Sequence, residues 1–458
     1  ELLRRKFPEA YADYVGVETV GRTGQPEKLW AGGFQAGWMM REVARKYGYR
    51  KWGVACCQEV NYRHDRLLGQ QLQAEWYVRD ALLAFAYRSP FINLGGLYDA
   101  GNTYNSSFWG AVCFCRRYPF LYPKKAYVAV ATLTRVLDRV MFIREMPAGC
   151  NSVYALEFSR PDGKRVYAVW TGRGTAELEM VFDRGADIEV IDLYGRARKT
   201  STFFRRFHMT AGPAVHYFVT DGMIGTLSSN RRTYPEDAPP GNLRVVAAMD
   251  RADDWRLVLG KDPFLEETTW SEKKSTLPYR TAGTFSLRQV KDREKGDCLE
   301  VELHPQGGLP DIMSEYAVLR LKEPVTVEGE PTTLGLWVKG NSGWGEVYWE
   351  IEDANGVRRL SCGTSEHGGS VFDYDARLAT VNFEGWNFLR MPITEKSPVP
   401  DLSTGNVDNL WQKAKRTPVA YPVKITGVAV SLPPRALHLT EMKPVRQVIR
   451  LKDLSVYK

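Results

Sequence analysis

Over the first 140 residues, short apolar runs alternate with longer stretches whose apolar residues recur at helical spacing. The pattern predicts strands at about 13–18, 52–57 and 91–97, and helices at about 33–47, 67–87 and 124–138. Each predicted strand is almost continuously apolar, as expected when both faces of a sheet are buried. Strand alternates with helix and the strand starts lie nearly 40 residues apart, which is typical of a parallel β/α architecture.

From Cys150 onward the apolar residues recur at every second position, which predicts antiparallel strands. Turn sequences such as Arg160-Pro161-Asp162-Gly163 separate these strands and indicate a small β-sandwich over residues 150–222. The predicted strands of this sandwich are 153–158, 165–171, 176–182, 187–193 and 214–219.

A connector that contains several prolines and glycines is predicted at 223–264, and a third region extends over 265–458. Frequent turns between short strands favour a jelly-roll β-sandwich in the third region. Its predicted strands are 299–303, 317–321, 333–338, 346–352, 388–392 and 423–432, with a hairpin-like stretch at 448–457. The predicted fold class is therefore α/β plus all-β, with three β/α units in 1–145 followed by two β-sandwiches.

The composition is that of a soluble globular protein, with 44% hydrophobic and 25% charged residues among 458. The net charge of +8 is spread along the chain. Because no nucleic-acid-binding motif accompanies it, this charge is weak support for a nucleic-acid partner, and acidic surfaces or anionic polysaccharides are the alternative. No apolar run approaches the roughly 20 residues of a membrane helix.

Metal and cofactor signals are weak in the sequence. Cys113 and Cys115 lack the second pair of ligands that a zinc site needs. Two aspartates, Asp373 and Asp375, are either calcium ligands or part of a solvated loop. The sequence contains no nucleotide-binding fingerprint and no serine- or zinc-hydrolase motif, so no cofactor or metal is expected.

The candidate catalytic residue is Glu59, which follows the second predicted strand. Glycoside hydrolysis requires two carboxyl groups across the scissile bond, one donating a proton and the other attacking or activating water. Glu59 suits the second role, with Tyr62 or Arg63 nearby in sequence to hold the carboxylate ionised. Glu18 ends the preceding strand and is a candidate second carboxylate or substrate ligand. The alternative for both glutamates is a structural ion pair with an arginine.

Further sugar-binding side chains are expected in the long loop after the third predicted strand. Asp99 and Asn102 are candidates to hydrogen-bond sugar hydroxyls. Trp109 in the same loop is either a stacking surface or a buried aromatic.

The aromatic content is high, with 13 Trp and 23 Tyr. Such flat rings stack on sugars, although β-rich cores also use many aromatics. In the third region, Trp344 and Trp386 are predicted as exposed platforms for glycan stacking. Trp337 and Trp349 are expected to alternate into the core.

The predicted strands and helices of residues 1–145 resemble the later part of a clan A glycoside hydrolase, a class of retaining (β/α)8-barrel enzymes. Trp52–Glu59 looks like the seventh barrel strand with its nucleophile, and Phe91–Leu97 looks like the eighth. Tyr122-Pro123-Lys124-Lys125-Ala126-Tyr127 is similar to the start of the closing helix. The resemblance implies that 150–222 is the small β domain that often follows such barrels, and that 265–458 is a carbohydrate-binding jelly roll.

A complete barrel has eight β/α units in about 250 residues. The resemblance therefore implies that the earlier strands and the acid/base residue lie in a preceding segment or a separate chain. The leading hypothesis is a glycoside hydrolase-like protein that acts on oligo- or polysaccharide by a retaining two-carboxylate mechanism. The alternative is an inactive hydrolase-like subunit that binds glycan or serves as a structural part of a larger assembly. An extracellular or cell-envelope location is expected, and oligomerisation is left open.

Overall fold

The computed structural model divides the chain into two compact units, with the main boundary between Tyr234 and Pro235. The structure describes residues 15–18, 26–27, 41, 44–45, 48–49, 52–56, 70–89, 91–92, 97, 115–116, 120–234, 241–258, 285–304, 315–360, 380–393, 419–432 and 446–458. Strands predominate among these residues, alongside two α-helices. Neither helix combines the length and the apolar character that a membrane span requires.

The first unit starts with β/α elements and continues with antiparallel strands. Its early elements are β1 (Val15–Glu18), β2 (Trp52–Cys56), α1 (Gln70–Ala86), β3 (Cys115–Arg116), β4 (Tyr122–Pro123) and α2 (Lys125–Val136). Its later elements are β5 (Met141–Glu145), β6 (Val153–Ser159), β7 (Arg165–Thr171), β8 (Thr175–Phe182), β9 (Asp187–Ile191), β10 (Ala197–Ser201), β11 (Arg206–Ala211), β12 (His216–Thr220) and β13 (Ile224–Thr233).

The strands β1 and β2 form a parallel pair, with Val15 opposite Trp52 and Glu18 opposite Cys56. The two predicted strands and their parallel pairing are confirmed, whereas most of the helix predicted between them lies outside the described residues. The third predicted strand is not confirmed, because the described residues Phe91, Ile92 and Leu97 lie outside any strand. The described residues therefore contain one parallel strand pair, and they do not show the larger barrel that the resemblance implied.

The predicted helices at 67–87 and 124–138 are confirmed as α1 and α2. Both pack against one face of a six-stranded sheet in the order β10-β9-β12-β7-β6-β5, and a three-stranded sheet, β11-β8-β13, covers its other face. In the strand β7, Trp170 faces the helices and Val169 faces the second sheet. Because both faces of the central sheet are covered, β6 and β7 are buried along almost their whole length.

The second unit is built from strands β14 to β25 and a short 3-10 helix, Ala252–Asp254. The strands are β14 (Arg244–Ala247), β15 (Trp255–Val258), β16 (Phe285–Asp292), β17 (Gly296–Leu303), β18 (Glu315–Val327), β19 (Thr333–Asn341), β20 (Gly345–Glu352), β21 (Arg358–Leu360), β22 (Thr380–Val381), β23 (Glu384–Pro392), β24 (Val423–Leu432) and β25 (Gln447–Tyr457). The predicted connector at 223–264 therefore contains the whole of β13 together with β14 and β15.

Two antiparallel sheets make up this second unit. One has the order β16-β17-β25-β19-β23 with β14 beside β25, and the other has the order β15-β18-β24-β20-β21 with β22 beside β20. Alternate residues such as Leu336 and Val338 in one sheet and Val347 and Trp349 in the other are fully buried. These buried apolar faces form a sandwich core. The predicted hairpin at 448–457 is wrong, because β25 is a single strand that pairs with β14, β17 and β19.

Candidate functional site

Most of the residues predicted for catalysis and sugar binding in the first unit lie outside the described residues. These are Glu59, Tyr62, Arg63, Asp99, Asn102 and Trp109. The backbone of Glu18 is described, and it ends β1 directly beside the end of β2. These assignments remain predictions.

The second unit contains a dense polar cluster on the face of the β16-β17-β25-β19-β23 sheet that points away from the sandwich core. One row of residues crosses all five strands, in the order Arg288, Glu300, Arg450, Lys339 and Trp386. Side chains in such a row share one face of a sheet. Polar side chains on this face thus come from segments that lie far apart in sequence.

This face is concave. Asp292 belongs to β16 and Trp386 belongs to β23, the two outermost strands of the sheet. Nevertheless the indole Nε1 of Trp386 donates a hydrogen bond to Asp292 Oδ1 over 2.9 Å. Neighbouring strands lie about 4.8 Å apart, so a flat sheet would hold these residues too far apart. The sheet therefore curves enough to bring Asp292, at the end of β16, against Trp386 of β23, and we call the surface on this side of the sheet the concave face.

Asp292 is the centre of the hydrogen-bond network on the concave face, and its side chain is fully buried. Its Oδ2 accepts hydrogen bonds from Lys339 Nζ at 2.7 Å and from Arg450 Nη1 at 2.6 Å. Its Oδ1 also accepts the backbone N–H of Glu294 at 2.8 Å. Asp292 thus joins three strands to the β16–β17 turn. Gly296, the first residue of β17 after this turn, has the positive φ of +70° that this short hairpin requires.

Two further carboxylates lie deep in the concave face. Glu300 accepts hydrogen bonds from Arg288 Nε at 2.7 Å and from Arg450 Nε at 2.8 Å. Glu302 accepts a hydrogen bond from Arg446 Nε. Each buried carboxylate is therefore covered by at least one arginine or lysine, as buried charges require.

The charges of this network are set by the hydrogen bonds. Burial acts to raise the pKa of Asp292, but hydrogen bonds from Lys339, Trp386, the Glu294 amide and Arg450 outweigh it and hold this pKa well below its usual range. Burial also acts to raise the pKa of Glu300, and bonds from Arg288 and Arg450 bring this pKa below its usual value. Both carboxylates are therefore ionised at neutral pH.

Trp386 is partly exposed on this face, and its orientation is fixed by the bond to Asp292. The Lys339 ammonium lies 5.9 Å from its ring centroid. Trp337 is also partly exposed, which differs from the core position expected for it. However, Lys295 Nζ lies 3.4 Å from the centre of the Trp337 ring and covers it. Trp386 is therefore the better placed of the two to stack on a ligand.

The exposure predicted for Trp344 is wrong. Only 6% of this residue is exposed. Its φ is +59° and its backbone N–H donates to Val381 O at 3.0 Å, so the turn folds the residue inward. Trp349 is fully buried, as the alternation of β20 predicted.

No cluster of three or more potential metal ligands occurs among the residues that the structure describes. In the same residues Cys115, Cys150 and Cys298 form no disulfide bond. The groups present on the concave face can recognise a ligand by hydrogen bonding, charge and ring stacking.

The sequence matches no protein-family model and no curated protein. Among solved structures, it is similar to a family 39 glycoside hydrolase from the gut symbiont Bacteroides cellulosilyticus WH2, with 15% identity over 48% of this chain and a TM-score of 0.40. The match covers 46% of that enzyme, so the chain spans just under half of its length.

The chain is also similar to the family 11 carbohydrate-binding module of a cellulosomal cellulase from Clostridium thermocellum. The identity is 10% and the TM-score 0.24, over 47% of this chain and 94% of the module. The same module in complex with a β-1,3-1,4-mixed-linked tetrasaccharide gives 10% identity and a TM-score of 0.23, over 47% of this chain and 95% of the module. These similarities are distant.

Proposed function

We propose that this protein binds glycans and that the concave face of its second unit holds the sugar. The observation that carries the proposal is Trp386, a partly exposed indole whose orientation Asp292 fixes. A flat ring provides the apolar surface on which a sugar ring stacks. The surrounding basic side chains provide hydrogen-bond donors for hydroxyl and acid oxygens.

The shape of this face supports the same function. Small-molecule sites are concave and combine aromatic surface with a few well-placed polar groups. The network around Asp292 also orders Lys339 and Arg450 before any ligand arrives. Preordered donors lose little conformational freedom on binding, which favours affinity.

The test is titration calorimetry of the full chain with neutral and acidic oligosaccharides. We expect Trp386→Ala to weaken binding about 30-fold, equivalent to losing about 2 kcal/mol from a central aromatic contact. Phe203→Ala is the matched control, because Phe203 is an aromatic with 77% exposure in the first unit. Equal affinities for the wild type and Trp386→Ala would overturn the assignment of this face, and no binding to any saccharide would overturn the function.

A second candidate function is glycoside hydrolysis in the first unit. The parallel register of β1 and β2 supports it, because Glu18 ends one strand where the neighbouring strand also ends. Ligands of parallel β/α proteins bind beyond the carboxyl ends of the strands, and Glu59 follows the end of β2. In this proposal Glu59 is the nucleophile, and the general acid comes from the rest of the barrel.

The measurement for this candidate is glycosidase activity of the natural full-length protein and its Glu59→Gln variant. We expect a loss of at least about 1,000-fold in kcat with unchanged glycan affinity, since the nucleophile acts in the chemical step. Glu177→Gln is the control, because Glu177 is an exposed glutamate on β8. Retained activity in Glu59→Gln would exclude its role, and inactivity of the wild type would favour the binding function alone.

Exposed apolar residues near α2 support the proposal that a further segment or chain completes the β/α part. Phe120 and Leu121 are 68% and 62% exposed, and Tyr127 and Val128 are exposed on the helix itself. Adjacent exposed apolar side chains such as these are a candidate contact surface. Hydrogen exchange of the α2 amides is expected to be slower in the protein purified from its native source, together with any partner chain, than in this chain alone, and equal exchange would contradict the proposal.

A further inference from the structure

Basic and acidic side chains occupy different depths in the concave face. The side chains of Asp292, Glu300 and Glu302 are 0%, 3% and 3% exposed. Those of Arg288 and Arg446, which bind Glu300 and Glu302, are 57% and 66% exposed. The carboxylates therefore lie at the bottom and the guanidinium groups lie at the surface.

Because the basic groups lie above the carboxylates, a ligand that binds to this face contacts the basic groups first. The buried carboxylate oxygens already accept hydrogen bonds from basic groups, so they present few acceptor sites outward. Arginine has five N–H donors, and Arg288 uses two of them on Glu300 Oε1, which leaves donors for solvent or ligand. Lys339 and Arg450 also keep 30% and 29% exposure on the same face. A ligand meets a layer of charged donors.

Further basic and polar side chains lie at the edge of the concave face. His304 Nδ1 lies 3.3 Å from Glu302 Oε1, and His304 Nε2 lies 3.1 Å from Ser286 Oγ. Lys295 lies over the Trp337 ring at the opposite side of the row. Glu294, with 65% exposure, is an exposed carboxylate at this turn and lies 3.9 Å from Lys339. Among the described residues of this face, the exposed or partly exposed basic side chains Arg288, Arg446, Lys339 and Arg450 thus outnumber the exposed carboxylate Glu294.

We infer that the concave face takes an acidic oligosaccharide, with a sugar ring on Trp386 and its carboxylate or sulfate groups on Arg288 and Arg446. The inference rests on the proposed glycan-binding function and names its ligand class. A planar guanidinium matches the paired oxygens of a carboxylate or sulfate, and such charge-assisted bonds are about twice as strong as neutral ones. A neutral glycan would use only part of this donor layer.

The test compares three oligosaccharides by titration calorimetry of the full chain at 50 and 300 mM NaCl. Tetragalacturonate provides carboxylates, its fully methyl-esterified form is the matched neutral sugar, and a sulfated neocarratetraose provides the second acid group. We expect at least one acidic ligand to bind at least about 10-fold more tightly than the neutral sugar at low salt. We expect this preference to shrink at high salt, because added ions screen exposed charges.

The decisive variant is the double substitution Arg288→Gln with Arg446→Gln. It should lower the affinity for the acidic ligand at least about 10-fold and leave that for the neutral sugar within about 2-fold. Arg139→Gln with Arg184→Gln is the matched control, because these arginines are 81% and 60% exposed in the first unit. Arg288→Lys with Arg446→Lys retains both charges and should recover part of the affinity even if the glutamine variant is unstable.

The outcomes separate the two proposals. Equal binding of acidic and neutral sugars that still depends on Trp386 would overturn the acidic-ligand inference and keep the glycan-binding function. An acidic preference that the control pair loses as strongly as the test pair would also overturn the inference, because it would reflect net charge alone. The absence of binding to all three sugars and to other glycans would overturn both proposals.

Discussion

The substitution Asp292→Asn tests whether the buried carboxylate holds the concave face together. Asparagine keeps the shape and one acceptor oxygen for Trp386 and the Glu294 amide. Its amide nitrogen, however, would face Lys339 Nζ and Arg450 Nη1, both of which are donors to Oδ2 at 2.7 and 2.6 Å. The variant therefore replaces two charge-assisted hydrogen bonds with donor–donor contacts.

The expected loss of stability follows from the exposure of the partners. Breaking a buried ion pair costs about 3–5 kcal/mol when the remaining charge stays buried. Lys339 and Arg450 are 30% and 29% exposed and regain part of their hydration. We therefore expect the lower end, about 3 kcal/mol, which for a unit of this size lowers Tm by about 6–12 °C.

The pH dependence of this loss identifies its cause. The folded protein holds the pKa of Asp292 below the value of about 3.9 that aspartate has in an unfolded chain. The stabilisation is therefore complete above that unfolded value and is lost as the pH falls through the folded value. The gap between wild type and Asp292→Asn should be full at pH 7 and about 1 kcal/mol smaller at pH 3.

The assay is calorimetric melting of the second unit in the full chain at both pH values, with Asp297→Asn as control. Asp297 is an exposed aspartate on β17, close in sequence to Asp292, and its substitution should change Tm by less than about 2 °C. A Tm of Asp292→Asn within 2 °C of wild type at pH 7 would refute the role of Asp292. A gap that stays constant with pH would refute its electrostatic origin.

Two further predictions concern packing in each unit. In Gly335→Ala, the new Cβ would lie 2.2 Å from Cζ of Phe388, so the ring must move. We expect the free energy of unfolding of the second unit in urea to fall by about 2–3 kcal/mol. An unchanged urea midpoint would contradict this contact. Glu27→Gln would leave Arg79 buried without its partner carboxylate, and the first unit should lose about 3–5 kcal/mol in the same assay. A loss below 1 kcal/mol would show that this pair is not buried in solution.

Local sequence patterns predicted the helices and strands whose buried residues recur regularly along the chain. The helix α2 has a regular apolar stripe, and β7 is an unbroken apolar run because helices and a second sheet cover its two faces. The strands β10 and β11 were missed because they lie at sheet edges and carry many exposed polar residues, such as Arg198 and Lys199. Their pairing depends on neighbouring strands, which no local pattern records.

The candidate site was predicted only in part. Trp386 was identified from its residue type, whereas Asp292 was not, because its partner Arg450 lies 158 residues away in sequence. The turn sequence from Asp292 to Gly296 was the available signal, since an aspartate before such a turn often bonds to its backbone. Trp344 was misassigned because it lies among glycines and polar residues, although its turn directs it inward.

The most direct test of the central claim is a crystal structure of the full chain with the oligosaccharide that binds most tightly. We expect a sugar ring stacked on Trp386 and hydrogen bonds from Arg288 or Arg446 to the ligand's acid groups. A ligand bound elsewhere, with the concave face occupied only by solvent, would contradict glycan binding at this face.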